Sequence, residues 1–448
     1  MQKNNTIVAL ATPPGVAGLS VVRLSGPDSF LIADKCFKGN KLLSQSLSHT
    51  IHYGKLYSDS ELIDYCTASI FRNPKSYTGE DTIEFGIHGS NLIANRVIES
   101  LVKNGAEYAM PGEFTKRAFL NGKLDLNQVE AVADLIHSLT VPGAQTAAKQ
   151  LSGGFSKKLA EMRLKLLDIA ALLELELDFS EEDLELIPRE RIKNQIIDAI
   201  EFCDGLINSY SASEIMRNGY FVGIAGYPNS GKSTLFNSII GRNRAIVSSI
   251  EGTTRDYLED KFFVNGFPIT IADTAGIRQT DDEIEIEGIR FVETVLNQSN
   301  MIIVLNDINN GIDFSSSLYN SIKEKYSNSE VIYLQNKVDN LSNLPINAFN
   351  ISAINNQGIE QLKLFIYNFA VNSISTISDV LINKRQSNLL NNARNALVLA
   401  LKGLDNLFEN ELIAIDIRKA VKILGEITGE IWNEEVLEHI FSRFCIGK

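Results

Sequence analysis

Gly226-Tyr227-Pro228-Asn229-Ser230-Gly231-Lys232-Ser233 is the stretch whose reading decides the fold. The run before it, Tyr220–Ala225, is apolar and strand-like, and the residues after Gly231 open a helical pattern. Strand, glycine-rich turn and helix in that order make a phosphate cradle, because backbone N–H groups of the turn and the helix N-terminus converge on one point. Asn229, Ser230, Gly231 and Thr234 belong to that nest. Lys232 is placed to reach the β- and γ-phosphates, and the Ser233 hydroxyl is placed to ligate Mg2+.

Downstream, the apolar runs Ile269–Ala272, Met301–Asn306 and Val331–Gln335 alternate with helical stretches, as a doubly wound, mostly parallel sheet requires. Asp273-Thr274-Ala275-Gly276 follows one of them, where Asp273 can hold the metal through water and the Gly276 N–H can meet the γ-phosphate. Asn336-Lys337-Val338-Asp339 follows another. The Asp339 carboxylate can accept from guanine N1 and its exocyclic amine, and a base lacking those donors leaves it unpaired. Ser352-Ala353, after Phe349–Ile351, completes the base pocket, so the nucleotide is GTP. Thr253-Thr254-Arg255-Asp256 lies between the first helix and the next strand, and Thr254 is placed to complete the Mg2+ shell only when a γ-phosphate is present. Ile277 stands where regulatory GTPases keep a water-orienting glutamine, so another polar group and another cation must act. Asn229 is a candidate to hold a monovalent ion. Asp281, Asp282, Glu283 and Glu285 are candidates for the carboxylate, and the residues alone do not choose among them.

The chain has 448 residues, enough for roughly two to four domains. Its net charge of -13 argues against coating nucleic acid through bulk positive charge. Cys36, Cys66, Cys203 and Cys445 are scattered, which fits a reducing compartment better than a disulfide framework or zinc site. The N-terminus lacks a signal-peptide pattern and nothing reaches about 18 uninterrupted apolar residues, so a cytoplasmic protein with no membrane span is expected. Residues 1–118 mix short strands with turns and read as an α+β domain. Residues 119–215 are helical, with Leu159, Met162, Leu166, Ile169 and Leu173 on one face and Pro188 marking a helix start. Residues 216–377 form the nucleotide domain. Residues 378–448 are helical again, with a stripe of Leu390, Ala393, Leu397, Leu401 and Leu404. The two helical segments are expected to pack together, making 216–377 an insertion in a discontinuous helical domain.

The motifs in this order resemble the MnmE (TrmE) tRNA-modification GTPases over essentially the whole chain. Ala11-Thr-Pro-Pro-Gly15, Ser76-Tyr-Thr-Gly-Glu-Asp81, Pro111-Gly-Glu-Phe-Thr115, Arg117-Ala-Phe-Leu-Asn-Gly-Lys-Leu-Asp125 and the terminal Cys445-Ile-Gly-Lys448 carry the likeness. The resemblance implies a folate-binding N-terminal domain that also dimerises, a split helical domain and an inserted Ras-like G domain. It implies that K+ replaces the arginine finger, held by Asn229, Ser248, Ile250 and Thr253, and that Glu285 acts on the attacking water through a bridging water. Arg278 is then a structural or interface residue. Catalysis would fall to Glu285, Thr254 and Lys232. For a folate such as 5-formyltetrahydrofolate the matching positions are Arg23, Glu84, Lys123 and Lys448. Glu251 and Met110 depart from the family pattern, where a small residue and an arginine are usual.

The function so implied is a K+-stimulated, Mg2+-dependent GTPase that works as a homodimer. In a heterotetramer-type complex with a flavin-dependent partner of the MnmG/GidA type, it would modify the wobble uridine of certain tRNAs at C5. FAD and NADH would enter only through that partner. Cys445, fourth from the end, sits badly for prenylation given Gly447 and Lys448, and is a candidate thiol for the tRNA chemistry. The rival readings are a ribosome-assembly GTPase, which predicts a basic or KH-type segment that is not found, and a scaffold that binds GTP but barely hydrolyses it.

Overall fold

The protein is described by a computed structural model over residues 5–178, 188–241, 258–274, 292–310, 312–340, 349–374, 380–442 and 444–448. Its contacts divide it into two units. One comprises Met1–Ala133, Ala148–Cys203 and Asn388–Lys448, and the other Asp134–Ala147 with Asp204–Ser387.

In the first unit, strands β1 (Ile7–Leu10), β2 (Ala17–Ser25), β3 (Phe37–Gly39), β4 (Thr50–Ser58), β5 (Glu61–Phe71), β6 (Thr82–Gly89) and β7 (Glu107–Tyr108) form one sheet of order β3-β4-β5-β6-β2-β1-β7. Alternation along β2 sends Val22 and Leu24 into a core with Ile83, Phe85, Val97 and Leu101, while Arg23 faces the other side. The helices Ser29–Cys36 and Asn91–Lys103 cover the core face. On the opposite face Ile7, Ala9, Ala109 and Phe114 make a smaller cluster.

The helical stripes read from the sequence lie within this same unit, buried except at Met162 and Leu401, which are half-buried. Leu159, Leu166, Ile169 and Leu173 of helix Gly154–Asp178 are each at most 1% exposed. That helix packs along helix Asn410–Thr428, where Arg163 donates to the Val421 carbonyl at 3.2 Å and Arg418 pairs with Glu174. Helix Arg189–Asn208 begins directly after Pro188, whose carbonyl accepts from Arg191 N at 2.8 Å.

In the second unit, β8 (Tyr220–Ala225), β9 (Leu258–Val264), β10 (Phe267–Asp273), β11 (Met301–Asp307), β12 (Glu330–Asn336) and β13 (Phe349–Asn350) form a sheet of order β13-β12-β11-β8-β10-β9. Every pairing is parallel except β9 with β10. β10 and β11 are buried along their whole length, as strands covered on both faces must be. Residues 134–147 and 204–215, which the sequence pattern groups with the helices, belong to this unit. Arg217 accounts for part of that: it donates to both Asp134 carboxylate oxygens at 2.7 and 2.9 Å and to the Ile382 carbonyl at 2.8 Å. Ala147, Met216 and Leu381 form a small apolar cluster beside it.

Candidate functional site

The nucleotide cradle lies at the carboxyl ends of the parallel strands, where open α/β sheets leave a crevice. β8 ends at Ala225 and helix Lys232–Ile240 starts after the turn. Gly231 has a φ of +97°, and a Cβ there would fall 2.3 Å from Asn336 Nδ2, so the turn closes against the base loop only with glycine. Lys232 Nζ donates to the carbonyls of Gly226 and Tyr227 at 2.8 and 3.0 Å, folded over its own loop. Burial pushes its ammonium below the ordinary lysine value, with Asp273 pulling the other way.

The groups expected to face a metal converge. Ser233 Oγ donates to Asp273 Oδ2 at 2.6 Å, and Asp273 is fully buried at the end of β10. Thr274 is tied to β8 through the Ile224 carbonyl at 2.7 Å. A hydroxyl and a buried carboxylate this close fit a direct ligand and a water-mediated one for Mg2+. Ser233, Thr234 and Asn229 are exposed.

The base pocket is assembled by side-chain bonds over long sequence distances. Asn336 is buried, donating to Ser230 O at 3.0 Å and accepting from Ala353 N at 3.0 Å. Ser352 Oγ donates to Asp339 Oδ1 at 2.6 Å, which orients an otherwise exposed carboxylate for a two-donor base edge. Ser238 of the cradle helix donates to the Ala353 carbonyl. Lys337 Nζ reaches the Asn229 carbonyl at 3.0 Å and Asp307 Oδ2 at 2.6 Å. Asp307 was not singled out from sequence, and only its place at the end of a strand next to the cradle could have suggested it.

The structure thus brings together Asn229, Ser230, Gly231, Lys232, Ser233, Asp273, Asn336, Lys337, Asp339, Ser352 and Ala353. Ser248, Ile250, Thr253, Thr254, Ala275, Gly276, Ile277 and Glu285 lie outside the described residues, as do Glu251 and Arg278.

A second polar cluster belongs to the first unit. Arg23 on β2 and Glu84 on β6 are directly opposite in register, with Arg23 Nε 2.8 Å from Glu84 Oε1. Arg23 Nη1 also donates to the Gly447 carbonyl at 3.2 Å. Its guanidinium lies 5.3 Å from the Tyr77 ring centre and 5.5 Å from that of Phe114. Lys448 joins the group: burial first, then Arg23, push it below the ordinary lysine value, while Glu84 and Cys445 oppose that shift. Lys123 stands differently, exposed and donating to the Pro74 carbonyl at 3.1 Å. Cys445 is exposed in its side chain, and its carbonyl accepts from Gly112 N at 3.4 Å. Cations and a carboxylate flanked by two aromatic rings suit a flat heterocycle bearing N–H donors and an acidic tail. Tyr77 and Phe114 lie inside motifs quoted above, but their shared position over Arg23 is a product of folding.

Among the described residues, no group of three or more His, Cys, Asp or Glu side chains could hold a metal ion. Among the same residues, no helix is long and apolar enough to cross a membrane.

A family model described as the GTP-binding protein TrmE N-terminus matches residues 6–123, and one described as the MnmE helical domain matches residues 126–445. A tRNA modification GTPase MnmE of Cytophaga hutchinsonii is 39% identical over 453 residues, covering 99% of this chain and 98% of the relative. Its counterpart in Flavobacterium johnsoniae is 40% identical over 470 residues and covers 100% of both chains. That of Parabacteroides distasonis is 40% identical over 462 residues, covering 99% of this chain and 100% of the relative.

Proposed function

Because the chain belongs to the MnmE family of tRNA modification GTPases, we propose that it hydrolyses GTP in the cradle around Lys232 to modify the wobble uridine of certain tRNAs at C5. The group added is aminomethyl or carboxymethylaminomethyl. A tetrahydrofolate derivative supplies the one-carbon unit, and a flavin-dependent partner of the MnmG type supplies the FAD and NADH chemistry. The protein acts as a homodimer in the cytoplasm.

The observation that carries this reading is the meeting of the last two residues with the Arg23–Glu84 pair. Gly447 O accepts from Arg23, and Lys448 lies within the field of both partners. A phosphate cradle serves GTPases of many purposes, whereas a second polar cluster joined by Gly447 and Lys448 suits a folate. In it, Glu84 accepts from pterin-type N–H groups and Arg23, Lys448 and Lys123 meet the carboxylate tail.

In the GTP site, Lys232 leaves the loop carbonyls for the β- and γ-phosphates, and Asp339 orients guanine. Mg2+, when bound, neutralises charge on the phosphates, and Ser233 and Thr254 are the residues that would hold it, with Asp273 supporting through water. K+ would be held by Asn229, Ser248, Ile250 and Thr253. Glu285 orients and polarises the attacking water through a bridging water.

The test is mass spectrometry of wobble nucleosides from a strain lacking this gene, with loss of the C5-modified uridines expected. An unchanged profile defeats the reading. Turnover of the purified protein should be faster in K+ than in Na+, and equal, negligible rates in both would favour the scaffold.

A further inference from the structure

We propose that Asp307 is a positioning residue of the nucleotide site: it holds the Lys337 ammonium on the Asn229 carbonyl and so fastens the base loop to the phosphate loop. The inference rests on reading this cradle as a GTP site.

The geometry is a double tie. Two consecutive carbonyls of the phosphate loop, Asn229 and Ser230, are held by two consecutive side chains of the base loop, Lys337 and Asn336. The two ties differ in kind. Asn336 is buried and neutral, and it is fixed at its other end by Ala353 N. Lys337 is 41% exposed, and a flexible ammonium stem left to itself gains more from water than from one carbonyl. Asp307 changes that balance. Its Oδ2 lies 2.6 Å from Lys337 Nζ, and its Oδ1 accepts from Asn309 N at 3.1 Å and Asn309 Nδ2 at 2.8 Å. Both oxygens are therefore engaged, and the carboxylate is anchored at the end of β11.

Backbone conformation adds a reason for the tie. Asn229 and Lys337 both adopt left-handed φ values, +64° and +67°. Non-glycine residues hold that conformation only when their surroundings favour it. The bond between them joins two such residues directly, one beside the phosphates and one beside the base. Loss of Asp307 frees the ammonium and leaves Asn336 as the tie between adjacent residues of the two loops.

The test uses the full chain and a fluorescent methylanthraniloyl-GDP, with equilibrium titration and stopped-flow dissociation. Asp307→Asn should raise Kd about 10-fold, the loss of one charge-assisted bond, chiefly through faster dissociation. Lys337→Met should weaken binding, and adding Asp307→Asn to Lys337→Met should cost nothing further, because the carboxylate acts only through the lysine. A merely structural role would give the same penalty in either background, and that result overturns the proposal. So does unchanged affinity in Asp307→Asn. If Asp307→Asn does not fold, Asn309→Ala decides: about 2-fold weaker binding that vanishes in the Lys337→Met background supports the proposal, and no change overturns it. Failure of the wild-type protein to bind the GDP analogue would instead overturn the GTP reading itself.

Discussion

Glu285 and Asp307 are contrasting single residues, one assigned through family position and one through geometry. Replacing Glu285 by alanine should largely abolish GTP turnover while nucleotide affinity stays nearly intact, since an orienting carboxylate acts on the attacking water. Steady-state turnover beside GDP titration checks this, and unchanged turnover removes the assignment. Asp307 makes a pH-dependent contribution whose sign is fixed by its environment. Burial opposes its charge, but Lys337 and the Asn309 donors outweigh that and hold it below the ordinary value of 3.8. A depressed carboxylate stabilises the folded state above its unfolded pKa and loses that contribution as pH falls through the folded one. The melting difference between wild type and Asp307→Asn should therefore be full above pH 3.8 and shrink below it. A difference that grows on acidification would contradict the assigned partners.

At the scale of elements, the segment Cys445–Lys448 is tightly held against β1. Gly447 has a φ of +98°, and a Cβ there would lie 2.1 Å from the Leu10 carbonyl on β1. No side chain fits, so Gly447→Ala must lift the segment and with it the carbonyl that Arg23 uses. Binding of 5-formyltetrahydrofolate should weaken at least about 10-fold, an order set by losing one hydrogen bond to a charged group. GDP affinity should be unaltered. Calorimetry with both ligands decides, and intact folate binding would remove the segment from the pocket. The buried parallel strands β8, β10, β11 and β12 were legible from sequence because continuous apolar, β-branched runs report a strand covered on both faces, whereas β4, β5 and β9 carry no such run and were not singled out. Arg23 and Glu84 were legible as members of one site only through the family resemblance, and their direct pairing was not, since the register that places them opposite each other depends on how β2 and β6 align.

Over the whole molecule, Arg217 shows how distant segments are gathered into one unit. It is 11% exposed and serves Asp134, Glu214 and the Ile382 carbonyl, residues up to 165 positions away. Arg217→Met should destabilise by about 3 kcal/mol, because it removes both guanidinium donors from the largely buried Asp134 carboxylate. In calorimetry the transition that GDP raises should fall by about 6–12 °C, and a shift within error would show the pairing to be dispensable. The sequence by itself determined the phosphate cradle, the guanine specificity and the family. The cradle rests on backbone N–H groups within a few residues of one another, where order along the chain sets geometry, and the guanine reading and the family rest on short motifs in a fixed order. The tertiary structure decided which polar residues work together: Asp307 with Lys337 and Asn229, and Arg23 with Glu84 and Gly447. These partners are as far as 424 positions apart, and only strand register and the packing of remote segments bring their charges within a hydrogen bond of one another.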